Sequence, residues 1–521
     1  MPVTDSILVV GGGHNGLTAA AYLARAGYDV TVLEARSTTG GCASTVDAID
    51  ARVNICNCDH LFVRATPIHD ELELARHGLD YVDLDPSYLG MRWDGSPWFH
   101  FHDIDRTLDG LAKTHPHAVD GYRRYLADLL PAARLLMDVS TRPPSARSAI
   151  GRTLARRGAG LLDVMRLGRR SAVEVLRRYF DDEDLIVPAL VTGPVVWGVD
   201  PQMPGTGLGA LGYATKHLVP VGRPVGGSGA LTDALRRAGE AAGAKVEVGT
   251  RVEALLCHGD RVVGVRTSDG GHRHADRVVA AVDPSVVLVD WLDGTPGPIA
   301  DRLRRRWGAG TSHDGYESKV DLVVTEPPVL SAARDLADLA DPAAPTMAIG
   351  PDVAALTASH RAAAAGKIGT APAMLANTPS VPDPTMRPSR DEHLLSLEVL
   401  WTPYELEGGW SQSTEPQRWI DRFADAVQPQ WRDSIERWRA MTQVDYEEQF
   451  SMRRGYAPSW AGSPLDVVLG RPRELTRYRT PLDGLYLCGA ATYPGAGVWG
   501  VSGRNVAHAI AVDDNAKPNG R

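Results

Sequence analysis

Cysteine is scarce in this chain. The five thiols, Cys42, Cys56, Cys58, Cys257 and Cys488, are scattered, odd in number and free of any Cys-X-X-Cys motif. That excludes a disulfide scaffold and a dithiol reductase built on that motif, and it suits a reducing, cytoplasmic compartment. Cys56-Asn-Cys58 ahead of His60 has one intervening residue where a metal knuckle has two or more, and no second pair completes it, so no metal site is expected. Long apolar runs are missing too: nothing approaches the roughly 18 uninterrupted apolar residues of a spanning helix. No secretory leader is expected, because Ile7 to Val10 belongs to the fold. There is no excess of positive charge, with 55 Lys and Arg against 64 Asp and Glu and a net charge of −9, so nucleic acid is not an expected partner. Phenylalanine is rare, six residues against twelve tryptophans, which suggests a cavity with some polar edges. Internal repeats and a Ser-His-Asp set are absent as well.

Glycine, by contrast, is abundant and ordered. Ile7 to Val10 is a short uncharged run of the kind buried on both faces of a sheet. Gly11, Gly13 and Gly16 follow in Gly-X-Gly-X-X-Gly spacing, with His14 and Asn15 between them. The first glycine permits a tight turn, the second admits a pyrophosphate, and the third lets helix and strand pack closely. A helix from Gly16 to Ala26, stopped at Gly27, would offer its free N–H groups to phosphate. The next strand, Val30 to Leu33, ends at Glu34, placed to accept hydrogen bonds from an adenosine ribose. An acid there argues against a 2′-phosphate. It does not separate FAD from NAD, which share the ADP half.

The far end of the chain resolves that ambiguity. Gly484-Leu-Tyr-Leu-Cys-Gly489 reads as a strand ending in glycine, and Gly495, Gly497 and Gly500 precede a helix beginning near Val501. Two glycine-rich turns at opposite ends of 521 residues suggest one extended cofactor, FAD, gripped by both. Gly495, Gly497 and Gly500 also satisfy the dinucleotide spacing, but only 21 residues follow, too few for a second ribose-binding unit. Gly489, Gly497, Val498 and Gly500 are therefore assigned to the flavin, where backbone N–H groups would stabilise the charge of its reduced form.

Leu33-Glu-Ala-Arg-Ser-Thr-Thr-Gly-Gly41 resembles the second-strand signature of the amine oxidase and phytoene desaturase superfamily of flavoproteins. The C-terminal glycine loop, Pro204-Gly-Thr206 and Trp401-Thr-Pro-Tyr-Glu-Leu-Glu-Gly-Gly409 resemble its phytoene dehydrogenase-related branch, the pyridine nucleotide-disulfide oxidoreductase domain type. Where relatives often have arginine after the double glycine this chain has Cys42, and where they commonly show His-Pro it has Tyr493-Pro494. The resemblance implies that Ala35, Arg36, Gly40 and Gly41 adjoin the cofactor, and that Val252 meets the adenine through its backbone. It also implies an α/β fold with a doubly wound, Rossmann-like FAD-binding domain, discontinuous over 1–75, 220–300 and 470–521. A mixed sheet-plus-helix substrate domain with a helical lid would then occupy 76–219 and 301–469.

Other expectations come from the residues themselves. Lys245 to Val252 and Arg261 to Val265 read as paired strands, and Leu394 to Trp401 as a strand of the substrate domain. Ala332 to Ser389, rich in Ala, Pro and Asp, reads as a mobile insertion, and the tail after Asp513 as disordered. Residues 145–178 carry nine arginines interleaved with apolar residues, which suits either a solvated helix face or peripheral contact with an anionic membrane. Tyr493, His60, Tyr404 and Trp499 are candidates to orient a substrate or take its proton. Three functions stay open. One is an FAD-dependent dehydrogenase or desaturase passing hydride from a largely apolar small molecule to flavin N5. A second is a flavin amine oxidase or isomerase. The third is a binding protein that keeps the fold without redox activity, as Rab GDP-dissociation inhibitors do. Nothing in the residues specifies an oligomeric state.

Overall fold

The computed structural model describes residues 5–56, 58–141, 151, 160–292, 297–310, 313–460 and 462–516. Ser6–Val10 is the central strand of a five-stranded sheet, with Arg277–Ala280 and Leu485–Leu487 on one side and Asp29–Leu33 and Lys245–Glu247 on the other. Every pairing is parallel. Alternation sorts the central strand's side chains. Ile7 and Val9 pack with Ala19, Ala20 and Leu23 of the helix His14–Arg25 and with Val506 and Ile510 of the helix Val501–Ala516. Leu8 and Val10 face the opposite layer, with Val262, Val265, Leu288 and Leu303. A sheet covered on both faces buries its strand centres, which is why Ile7 to Val10 and Val278 to Ala280 are continuous apolar runs, with polar residues such as Asp29 and Lys245 at strand ends.

The two helices that cover this sheet come from opposite ends of the chain and lie close together. A Cβ on Gly503 would fall 2.1 Å from the Asn15 carbonyl oxygen, so only glycine allows this approach.

The second unit is a seven-stranded sheet. Its strands run in the order Ile435–Met441, Glu317–Val324, His393–Leu400, Ala373–Asn377, Thr346–Gly350, Tyr88–Arg92 and Trp98–His100. All pairings are antiparallel except that of Thr346–Gly350 with Tyr88–Arg92. One face packs Val320, Leu322, Met347, Ile349 and Leu397 against Trp419, Ile420, Phe423 and Trp431. On the other, Tyr88, Ala348 and Leu375 meet a helical layer containing Val119–Ser140 and Glu183–Val191. The five-stranded sheet draws its strands from segments 1–75, 220–300 and 470–521, and the seven-stranded sheet from 76–219 and 301–469. Tyr81–Asp83, paired with Gly222–Pro224, straddles the two.

Three local expectations are corrected. Ala332 to Ser389 is no insertion, because it supplies two strands of the large sheet, Thr346–Gly350 and Ala373–Asn377, with the helix Val353–Ala364 between them. Its small residues are there to pack, with Ala348, Ala373 and Ala376 all buried. Of the tail after Asp513, residues 514–516 are helical and 517–521 lie outside the described residues. Asp513 is bound by Arg479 at 2.8 Å and by the Tyr486 hydroxyl, and Asp514 by Arg277 and the Tyr28 hydroxyl. Lys245 to Val252 is not one strand. Lys245–Glu247 joins the parallel sheet, and only at Val252 does the chain turn into the antiparallel pair with Arg261–Thr267. Of the basic stretch, residues 145–150 and 152–159 lie outside the described residues. The remainder forms the short helices Leu161–Leu167 and Ala172–Leu176. Among the described residues no helix is long and apolar enough to cross a membrane.

Candidate active site

A cavity of about 2140 Å³ runs between the two sheets. Ordinary small-molecule sites occupy roughly 300–1,000 Å³, so this one has room for an extended cofactor and a second molecule together.

One wall is largely backbone. Gly11 has φ +102°, and a Cβ on Gly16 would fall 2.0 Å from the Gly11 carbonyl oxygen, so both positions require glycine. Gly13 differs. A Cβ there would meet nothing within 4 Å, because the position opens into the cavity. The helix that follows begins at His14 with no side-chain cap, leaving its first N–H groups and its partial positive charge for an anion. Gly40 donates to the Gly12 carbonyl at 2.8 Å, so the double glycine crosses directly over this turn. Glu34 is buried, and its two carboxylate oxygens accept from the N–H groups of Gly12 and Arg36 at 2.7 and 2.9 Å. Each oxygen keeps a lone pair for a hydroxyl. Ala35, Arg36, Gly41 and Val252 line the same stretch, with the Arg36 guanidinium 4.2 Å over the Phe450 ring. The buried Asn15 Oδ1 has no partner, an acceptor still to be satisfied. This donor and acceptor set fits the phosphate and ribose of an ADP-bearing cofactor.

The C-terminal loop closes onto that wall. His14 bonds the Gly497 backbone, and burial holds its pKa down to about 4 against that bond, so the imidazole is neutral. Gly489 donates to Ser502 Oγ at 2.9 Å, and Gly489, Gly495 and Gly497 all have positive φ. Val498 and Trp499 line the cavity, and the Trp499 indole stacks on Phe62 with centroids 4.2 Å apart. Gly500 sits behind the lining: a Cβ there would lie 2.9 Å from Ile68 and 3.1 Å from Thr18. Its constraints are a φ of +71° and packing against Ile68 and against Thr18 of the first helix.

The four candidates for substrate chemistry separate. Tyr493 and Trp499 line the cavity. The Tyr493 hydroxyl bonds Ser140, and burial pushes its pKa up to about 12. His60 and Tyr404 are not in the lining. His60 is fully enclosed between the Tyr81 hydroxyl at 3.0 Å and Ser228 Oγ at 2.9 Å, and burial holds its pKa down to about 3. Tyr404 bonds Glu447 at the periphery, beneath the Arg454 guanidinium.

The opposite wall holds groups that motif reading missed. Strand register places Lys319 beside Glu398 and Glu317 beside Leu400, so Glu317, Lys319 and Asp321 project on the same face as Ser396 and Glu398. Lys319 is occupied by Asp321 and by the Asn54 carbonyl at 2.5 Å. Glu398 is 2% exposed, its Oε1 has no partner, and both it and Glu317 line the cavity. Burial raises Glu317 to about 7 despite nearby Lys319, and burial with Glu317 holds Glu398 well above the carboxylate range. Lys216 also lines the cavity, 5.2 Å from the Tyr88 ring centroid, and burial lowers its pKa to about 8 while Asp59 opposes the shift. Cys42 and Cys56 touch each other in the same lining. A readable sign of the acidic floor existed: in His393–Leu400 the polar Ser396 and Glu398 recur at period two within a leucine-rich run.

The profile of the family described as flavin containing amine oxidoreductase matches residues 16–312. A rat protein named pyridine nucleotide-disulfide oxidoreductase domain-containing protein 2 is 27% identical, the match covering 98% of this chain and 94% of the rat protein. A limonene dehydrogenase component of Castellaniella defragrans is 23% identical, over 97% of this chain and 94% of its own. Among solved structures, an oxidoreductase from Methanosarcina mazei superposes with a TM-score of 0.61 at 14% identity, covering 98% of this chain and all of that one (100%).

Proposed function

The chain belongs to the flavin containing amine oxidoreductase family and is an FAD-dependent oxidoreductase, and on that premise we propose that it dehydrogenates a small molecule with a largely apolar body and one polar end. The observation that carries this reading is the division of one cavity into a glycine-backbone wall and a facing wall of apolar side chains above an acidic floor. When bound, FAD supplies the two-electron acceptor that carbon–hydrogen cleavage needs. On this reading Gly11, Gly13, His14, Asn15 and Gly16 surround the pyrophosphate. Glu34 takes the ribose, and Ala35, Arg36 and Val252 flank the adenine. Gly40 and Gly41 let the cofactor pass, and Gly489, Gly497 and Val498 face its flavin end.

The substrate lies in the remaining volume, between Tyr493, Trp499, Tyr88, Leu211 and the floor. Trp499, locked by Phe62, gives it a flat apolar surface. Lys216, with a pKa of about 8, can take a proton from the substrate near neutral pH. Glu398, with an unsatisfied oxygen, and Glu317 orient a hydrogen-bond donor at the substrate's polar end. Val164, Leu161 and Met203 continue the lining outward, and Leu162 and Met165, 64% and 52% exposed, adjoin them. This rim is where an apolar substrate, or the membrane surface supplying it, would meet the protein. The limonene dehydrogenase component, related over nearly its full length, supports an apolar substrate.

The floor favours a second reading as well, oxidation of an amine whose ammonium group pairs with Glu317 and Glu398. Anaerobic addition of candidate substrates to the flavoprotein separates the two. Bleaching of the flavin bands by apolar alkenes or alcohols, and not by amines, supports the first reading. Bleaching by amines alone replaces it with the second.

A further inference from the structure

Away from the cavity, His115, Asp182 and Asp184 converge at the amino end of the helix Glu183–Val191. His115 Nε2 lies 4.0 Å from Asp182 Oδ2 and 3.8 Å from Asp184 Oδ2, and the three atoms all fall within 4.8 Å of one another. These separations are too long for direct hydrogen bonds. His115 is 2% exposed and its Nε2 has no partner. The other ring nitrogen explains what Nε2 presents. Nδ1 is 2.9 Å from Thr114 Oγ1, whose own hydrogen goes to the Gly110 carbonyl at 3.2 Å. The hydroxyl can therefore only accept, Nδ1 carries the proton, and in the neutral ring Nε2 turns a lone pair toward two carboxylates. A buried lone pair facing two anionic oxygens calls for a cation between them.

We propose that His115, Asp182 and Asp184 bind a divalent transition metal, zinc by preference. Two bonds of about 2.0–2.2 Å span gaps of this size, and one imidazole with two carboxylates is a zinc-type donor set. The ligands are already oriented. Asp184 is held by Arg92 at 2.8 Å and by the Ser96 N–H at 2.7 Å, and Asp182 accepts from the Asp184 N–H at 2.9 Å. Such outer contacts are what fix a metal ligand in place. His117, 62% exposed, bonds Asp182 Oδ2 at 2.9 Å from the solvent side and steadies that carboxylate, leaving the fourth position to solvent. The ion would tie the segment after Ile104–Thr114 to the helix Glu183–Val191, which continues into cavity-lining Thr192, Gly193 and Pro194. Its role is structural, and it is independent of the proposed reaction.

Calorimetric titration of the chelator-treated flavoprotein with Zn²⁺, paired with thermal melts, tests this. The expected result is one Zn²⁺ per chain and a higher Tm. The affinity should fall at least about tenfold in His115→Gln and in Asp182→Ser, and less in His117→Ala. Serine keeps the helix cap, so that variant retains its fold. Lower pH should weaken binding as protons compete for the ligands. Absence of stoichiometric Zn²⁺ binding, or binding unchanged in both His115→Gln and Asp182→Ser, overturns the proposal.

Discussion

Where residues 11–41 and 489–499 line the cavity, much of the surface offered to a ligand is glycine backbone, with a few side chains such as Glu34 and Trp499 between the glycines. Where Glu317–Val324, His393–Leu400 and the helix Gly212–Lys216 line it, the groups are carboxyls and an amine on stiff elements. On the proposed reading the first wall holds a phosphate-bearing cofactor, a feature shared by enzymes acting on many substrates. The second differs by side chain and can change specificity without touching the cofactor. Within the first wall a further contrast holds: a side chain at Gly16 would collide with the fold, and one at Gly13 would enter open cavity.

That contrast gives the largest expected effect. Gly16→Val forces atoms into a carbonyl 2.0 Å away, so the domain should lose about 4 kcal/mol or more and appear as insoluble or unfolded protein by circular dichroism. Gly13→Val puts its side chain into open cavity, so the fold should survive while FAD occupancy drops about tenfold or more, read from the visible spectrum after gel filtration. A fully yellow Gly13→Val protein would break the distinction between the two glycines.

On the facing wall, Lys216→Met should lower kcat/KM by about 10²–10⁴-fold and erase the rise in rate as pH climbs through about 8. The same change should raise Tm at pH 7. The folded lysine has the lower pKa, so between about 8 and 10.5 the unfolded chain holds more protons and the native state gains stability as pH rises. The advantage of methionine therefore shrinks across that window. An unchanged pH–rate profile would remove Lys216 from the chemistry. Glu317→Gln is the mildest. The folded carboxyl keeps its proton from 4.5 to about 7 while the unfolded one loses it, so native stability declines as pH rises across that window. Glutamine should flatten the decline by a few degrees in Tm, and an equal slope in both proteins would show Glu317 to be ionised.

The two walls also differ in how far they could be read without coordinates. Gly11, Gly13, Gly16 and Glu34 lie within 24 residues and form one strand–turn–helix–strand unit, so local spacing carries their geometry. Glu317 and Glu398 are neighbours only because two strands far apart in sequence pair in one register, and nothing local announces such a partner. Lys216 looks like any exposed helix lysine until its burial against Tyr88 is known. His60 and Tyr404 misled for the converse reason, since proximity to a motif says nothing about which way a side chain faces. Alanine-rich 332–389 resembled a loop because small residues packed under a sheet and small residues in solvent have the same composition. Residues 514–516 read as loose because the ties of this helix end, Asp513 and Asp514, bind arginines and tyrosines far away in sequence.

The parallel pairing of Leu485–Leu487 with Arg277–Ala280 has a consequence for how the protein is made. The turn at residues 11–16 is synthesised well before residues 485–503, and until those follow, its sheet lacks its outer strand and its first helix lacks the neighbour seated at Gly503. A nascent or truncated product ending before residue 485 therefore has the turn at residues 11–16 and no closed cavity. Cofactor capture then requires that synthesis has passed residue 503, where the last pieces of the sheet and of the helix pair are in place.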